Sequence, residues 1–255
     1  MGPVRLRGTS IEKRYGRVAA LRGIDFEIAP GEAVALLGAN GAGKSSLLKI
    51  LAGLSKPSHG QFGAFVDGGT PPLDRSSLRA AVGYVGHATL LYGELSAREN
   101  LDFAARLYGQ RANQERIDQV LEDFALANVA DRRADTFSRG MAQRLAIARA
   151  VIHRPGLLLL DEPFTGLDEL SAERLSEQLG RLRSEERDAE ANGGTPSLVV
   201  VTHDPRRATE LADRAILLHH GIIRATPSKQ HAEEFTADAL RSMLGEFARE
   251  ASHAA

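Results

Sequence analysis

The 255-residue chain contains no cysteine. Disulfides, thiolate nucleophiles and cysteine metal sites are thereby excluded, and the absence agrees with a reducing compartment. There is also no excess of charge of either sign. Lys and Arg number 32 against 33 Asp and Glu, a net charge of −1, so no basic footprint for nucleic acid and no polybasic membrane anchor is expected. Long apolar runs are missing too. No stretch approaches the roughly 18–20 apolar residues of a spanning helix, and the opening MGPVRLRGTSIEKRYG lacks the apolar segment of a secretory signal. If the protein works at a membrane, another chain must carry it there.

What remains has an ordinary globular composition, 43% hydrophobic and 25% charged, and a length suited to one domain with at most an embedded subdomain. Short runs open the chain: VRLRGTSIEKRY, then LRGIDFEIAPGEAVALLG, with a turn at PGE and the continuous apolar character of a buried strand in EAVALL. KSSLLKILAGL follows with helical spacing, and GQFGAFVDG reads as a short strand pair. From about 96 to 152 the pattern is helical, with Ile117, Val120, Leu121 and Phe124 on one face. GLLLLDEP and SLVVVTHD read as strands around a charged helix, RAILLHHGIIRAT as a hairpin about His220-Gly221, and the tail as helical near 233–248. The segment 188–196, DAEANGGTP, is the least structured stretch. Strands and helices alternating around a helical middle predict an α/β core with an inserted helical subdomain.

Two segments carry chemistry. GANGAGKSS (38–46) matches G-x-x-x-x-G-K-[ST] between an apolar strand and a helix, the context that gives this motif its meaning. Glycines let the backbone wrap a phosphate and aim successive N–H groups at it, and the next helix adds its positive end. Gly38, Asn40, Gly41, Gly43, Lys44, Ser45 and Ser46 are thus the predicted nucleotide-binding residues, with Lys44 reaching the β- and γ-phosphates and the Ser45 hydroxyl ligating Mg²⁺. LLLLDEP (157–163) buries a strand and delivers Asp161 at its end, where ligands bind in open α/β sheets. Asp161 is expected to hold Mg²⁺ through water and Glu162 to polarise the attacking water. The reaction class is nucleoside triphosphate hydrolysis, with ATP and Mg²⁺ as the nucleotide and cofactor.

DTFSRGMAQRLAIARA (135–150) resembles the signature region of ABC-type ATPases, with Phe137, Ser138, Arg139, Gly140 and Met141 standing where L-S-G-G-Q is usual. The resemblance covers residues 4–225 and implies the fold of that family: a P-loop NTPase core, a RecA-like mixed sheet with flanking helices plus an antiparallel β subdomain, with an α-helical signature subdomain at about 90–152. Residues 226–255 form a separate tail. It further implies that Ser138 and Gly140 close over nucleotide held by a partner copy. Asp168 in FTGLD would lie at that dimer interface, His203 in VVVTHD would contact the γ-phosphate, and Tyr15 would stack on adenine. A homodimer with transmembrane permease subunits follows, and ATLLYGELSARENL offers Leu90, Leu91, Tyr92 and Leu95 as a partly exposed interface.

His87 departs from the wider family, which carries a Mg²⁺-ligating glutamine there, and no glutamine lies between Gln61 and Gln110 to replace it. Imidazole is a poor ligand for so hard an ion, so His87 is expected to bind a metal-coordinated or attacking water as a third catalytic residue beside Glu162 and His203. With GHATLLYGELSARENL, FSRGMAQRLAIARA and LLLLDEPFTGLD, the chain is similar to the ATP-binding subunits of cytochrome c biogenesis haem exporters (Ccm-type). That resemblance implies a peripheral place on the cytoplasmic face of a bacterial inner membrane and no direct haem binding by this chain. An ATPase of another exporter, for drugs, lipids or polysaccharide, is the alternative, and a non-transport ATPase of the superfamily a more remote one.

Overall fold

A computed structural model describes residues 2–66, 69, 71–109, 114–184 and 194–253. Two sheets organise them. Strands β1 (Val4–Tyr15) and β2 (Val18–Ile28) form an antiparallel ribbon, and β4 (His59–Val66) pairs on the other edge of β1, giving the order β2-β1-β4. The predicted strand pair in GQFGAFVDG is therefore a single strand. The 12-residue β1 has a free edge long enough to take it whole, from Val4 opposite Val66 to Glu12 opposite His59; Asp67 and Gly68 lie outside the described residues.

The second sheet is mixed, in the order β5-β6-β7-β3-β8-β9. Strands β5 (Val82–Val85), β6 (Leu157–Asp161), β7 (Ser197–Val201), β3 (Ala33–Leu37) and β8 (Arg214–His219) run parallel, and β9 (Ile222–Ala225) returns antiparallel. Every residue of β3, β6 and β7 is buried, which is why these strands read as unbroken apolar runs: parallel strands are covered on both faces. The turn between β8 and β9 places both His220 (φ 49°) and Gly221 (φ 81°) in the left-handed region, as a two-residue hairpin of this twist requires. The Gly221 N–H donates to the Ala42 carbonyl and the Arg22 N–H to the Gly221 carbonyl, so the turn ties the phosphate segment to the antiparallel sheet.

Helix α1 (Lys44–Leu51) follows β3, α2 (Arg75–Ala81) precedes β5, and α3 (Ala97–Leu107), α4 (Gln114–Asp123) and α5 (Arg139–Val151) fill the middle of the chain. Ile117, Val120, Leu121 and Phe124 are buried together, as their spacing predicts. Helices α6 (Glu169–Ser184) and α7 (Pro205–Leu211) flank the parallel strands. The tail helix α8 (Ala237–His253) begins later than its pattern predicts. Thr236 stops the chain there: its hydroxyl accepts the Ala239 N–H, while Phe235 just before it is buried. Most of the segment 188–196 lies outside the described residues. No helix among the described residues is long and apolar enough to cross a membrane.

Ser96 and Glu99 form a capping box at the start of α3, joining the helix to the irregular segment that follows β5. Asn100, fully buried, holds that segment in place. Its side-chain oxygen accepts the Tyr92 N–H at 3.0 Å, and its amide nitrogen faces the carbonyls of Tyr92, Leu95 and Ser96 at 2.9–3.3 Å. Removing it strands several buried polar groups. Asn100→Ala is expected to destabilise the fold by about 1–3 kcal/mol in urea unfolding, and an unchanged midpoint would show that the segment holds without it.

Candidate nucleotide site

The loop between β3 and α1 is shaped by glycine. Gly38 has φ +151°, and a β-carbon there would lie 2.2 Å from the Leu218 carbonyl oxygen, so no side chain fits. Gly43, at φ +107°, precedes α1 and leaves its first N–H groups without a side-chain cap. Uncapped donors and the positive end of the helix therefore face the loop. The buried Lys44 ammonium donates to the carbonyls of Gly38 at 2.7 Å and Ala39 at 3.0 Å. Burial pushes its pKa below the usual lysine value, against the pull of Glu162 and Asp161. A partly desolvated cation inside a ring of N–H groups is a receptor for phosphate. Asn40 and Gly41 are exposed on the loop, and in the first turn of α1 Ser45 is exposed and Ser46 half-buried.

Parallel β6 ends at the same edge. The buried Asp161 is its last residue, with Oδ1 3.5 Å from the Ser45 hydroxyl. Burial raises its pKa, the Ser45 hydrogen bond opposes the rise, and Glu162 adds to it; His87 and Lys44 pull it back down. Glu162 takes φ +54°, a left-handed conformation that costs a non-glycine residue about 1–3 kcal/mol. Its N–H donates to the Val201 carbonyl, which holds the turn. The Glu162 carboxylate lies 2.6 Å from His203 Nε2 through Oε1 and accepts the Thr165 hydroxyl at 3.2 Å through Oε2. His87 is exposed just beyond β5, within electrostatic reach of Asp161. The structure therefore brings the phosphate loop, Asp161, Glu162, His203 and His87 to one edge of the sheet.

The other predicted residues stand elsewhere. Tyr15 is exposed at the end of β1, with the Lys13 ammonium 5.1 Å from its ring centroid. Ser138 caps α5 by accepting the Met141 N–H at 3.3 Å. Gly140 packs against Ser171 and Leu167, and the Asp168 carboxylate accepts the Ser171 N–H at 2.8 Å and its hydroxyl at 2.9 Å, which lowers its pKa. These three form a second cluster around the start of α6. Of the apolar segment, Leu90 and Tyr92 are exposed, and Leu91 packs on the helical core.

Several contacts had no signal in the sequence. Thr165 reaches Glu162 through an ordinary tight turn, and Arg149 of α5 donates to the carbonyls of Leu90 at 2.5 Å and Thr89 at 2.7 Å. The tail carries no motif, yet Leu244 and Phe247 of α8 line a small cavity with Gly38, Ala39 and His203. An Arg224–Glu250 ion pair at 2.7 Å, with the Arg224 guanidinium over the Phe247 ring, pins the helix there.

The ABC transporter family profile matches residues 21–165. The chain belongs to that family. It is 35% identical over 207 residues to the ABC transporter ATP-binding protein NatA of Bacillus subtilis (strain 168), covering 80% of each chain. Over 219 residues it is 40% identical to the aliphatic sulfonates import ATP-binding protein SsuB 2 of Xanthomonas axonopodis pv. citri (strain 306), covering 86% of this chain and 68% of that one. Over 171 residues it is 39% identical to the cytochrome c biogenesis ATP-binding export protein CcmA 2 of Cupriavidus metallidurans (strain ATCC 43123 / DSM 2839 / NBRC 102507 / CH34), covering 66% and 79%. The dimeric ATP-binding cassette MJ0796 bound to ADP and Pi superposes with a TM-score of 0.73 at 28% identity, covering 88% of this chain and 98% of that one.

The chain is thus an ATP-binding domain of an ABC transporter, and cassettes of this family bind ATP with Mg²⁺. The donors present suit that ion. A serine hydroxyl and a carboxylate offer hard oxygen, and no cluster of three or more acidic, histidine or cysteine ligands occurs among the described residues. Mg²⁺ is commonly held in this way, by one or two protein oxygens with water and substrate phosphate. Lys44→Ala is expected to abolish nucleotide binding in equilibrium titration; unchanged affinity would contradict the phosphate cradle.

Proposed function

We propose that this chain is the ATP-hydrolysing subunit of a haem exporter in c-type cytochrome biogenesis. The observation that carries the reading is His87, an exposed imidazole just beyond β5 and within electrostatic reach of Asp161, at the position where a Mg²⁺-ligating glutamine is usual in the family. The SRGM signature and the 39% identity to CcmA 2 support it. The comparable likeness to SsuB 2, an import protein, and to NatA favours a second reading, an ATPase of another ABC transporter.

In the proposed mechanism the loop of residues 38–46 grips the phosphates and Lys44 leaves its two carbonyls to meet the β- and γ-oxygens. Ser45, and Asp161 through a water, would hold Mg²⁺, which would supply positive charge against the phosphate oxygens. Glu162 polarises the attacking water. His203, now 2.6 Å from that carboxylate, would orient it and donate to the γ-phosphate. His87 would hold a water on the other side, and Tyr15, with its ring exposed, would stack on adenine.

Ser138, Gly140 and Asp168 lie in a cluster of their own, which suits them to act on nucleotide held by a second copy, so the working unit would be a homodimer. Residues 4–225 would form the cassette, with 90–152 as its helical subdomain, and 226–255 a tail. Leu90 and Tyr92 would meet the permease subunits on the cytoplasmic face of the inner membrane. This chain would contact neither haem nor nucleic acid directly.

Glu162→Gln is expected to keep ATP binding and slow hydrolysis by about 10²–10⁴; normal turnover would remove Glu162 from its role. For the haem assignment the decisive measurement is co-purification from membranes. Cytochrome-maturation membrane proteins are expected, and recovery of an unrelated permease in their place would overturn it.

A further inference from the structure

Arg139 stands where the signature usually has glycine, as the first residue of α5, and no acidic residue lies in the first turn of that helix. A cation at the positive end of a helix is unfavourable without compensation. The guanidinium fills the space that a side chain at Gly166 would need, in the turn that leads from Glu162 to α6. Gly166 has φ +73°, and a β-carbon built on it would fall 2.2 Å from Arg139 Cζ and 2.3 Å from Nη1. The next signature residue also approaches this region, since a β-carbon on Gly140 would lie 3.2 Å from the Ser171 hydroxyl in the first turn of α6 and 3.9 Å from Leu167 Cδ2. The same short turn carries Thr165, whose hydroxyl donates to Glu162, and Asp168, whose carboxylate is held by Ser171.

We infer that Arg139 is a positioning residue that braces the signature turn against the 162–168 turn, coupling the surface offered to a partner's nucleotide to Glu162 of the chain's own site. The inference rests on the ATPase reading above. A glycine at 139 would remove the contact with Gly166 and leave that of Gly140 with Leu167 and Ser171. Arginine adds a planar group that covers Gly166 and excludes a side chain there, so the two turns move as one body. When Ser138 engages nucleotide across the dimer, the displacement reaches Thr165 and, through it, the carboxylate of Glu162.

The test is a rate cycle on the full-length chain in its transporter complex. Arg139→Gly is expected to lower kcat by about 2- to 30-fold, the usual range for residues that couple sites, with ATP affinity and melting temperature unchanged. Gly166→Asn, whose side chain tolerates the left-handed φ but displaces the guanidinium, is expected to cause a similar loss. Combined, the two substitutions should cost no more than one alone, because they break the same contact. Multiplying losses, or an unchanged kcat in Arg139→Gly, would overturn the brace. Glu162→Gln, run in parallel, separates this outcome from failure of the ATPase reading: if that variant also hydrolyses ATP normally, the reading itself is at fault.

Discussion

The register of the central parallel strands sets the position of every group at the nucleotide edge. Val85 pairs with Leu160, Asp161 with Val201, and Leu36 with Val201, so β5, β6, β7 and β3 end level with one another. The residues that follow these ends are His87, Glu162, His203 and Gly38, which therefore converge although they are scattered along the chain. A one-residue slip in a buried strand would turn its side chains to the opposite face. The continuous burial of LLLLD and AVALL opposes such a slip, since both faces are packed. The apolar core thus fixes the reach of the polar edge to within a hydrogen bond.

On that edge charges compete before any nucleotide arrives. Lys44 is partly stripped of water yet faces two acids, and its ammonium is satisfied by backbone carbonyls. Asp161 is pulled both ways, by burial and Glu162 in one direction and by Ser45, His87 and Lys44 in the other. Glu162 sits in a strained backbone turn with its two oxygens divided between His203 and Thr165. Strain held by surrounding structure at such a position is a common mark of a working site. A cradle whose donors are already aimed needs little reorganisation when phosphate enters.

The phosphate loop, the acidic strand and the hairpin at His220-Gly221 could be read from the sequence because each depends on local rules: glycine where φ must be positive, apolar runs where strands are buried, a two-residue turn where both dihedrals change sign. What could not be read depends on distant packing. GQFGAFVDG carries enough apolar residues for two strands, and only the free edge of β1 decides for one. The contacts of Arg139 with Gly166 and of Arg149 with Thr89 and Leu90 join segments far apart in the chain. Long, flexible cationic side chains leave no periodic trace of what they will touch.

The tail helix has a consequence for how this cassette can vary. Leu244 and Phe247 border the cavity shared by Gly38, Ala39 and His203, and the helix is moored by Arg224. The tail helix therefore forms one wall of a small cavity beside the phosphate loop. A larger side chain at Leu244 or Phe247 would crowd Gly38 and His203, so a segment without any motif of its own bounds the space available at the phosphate loop.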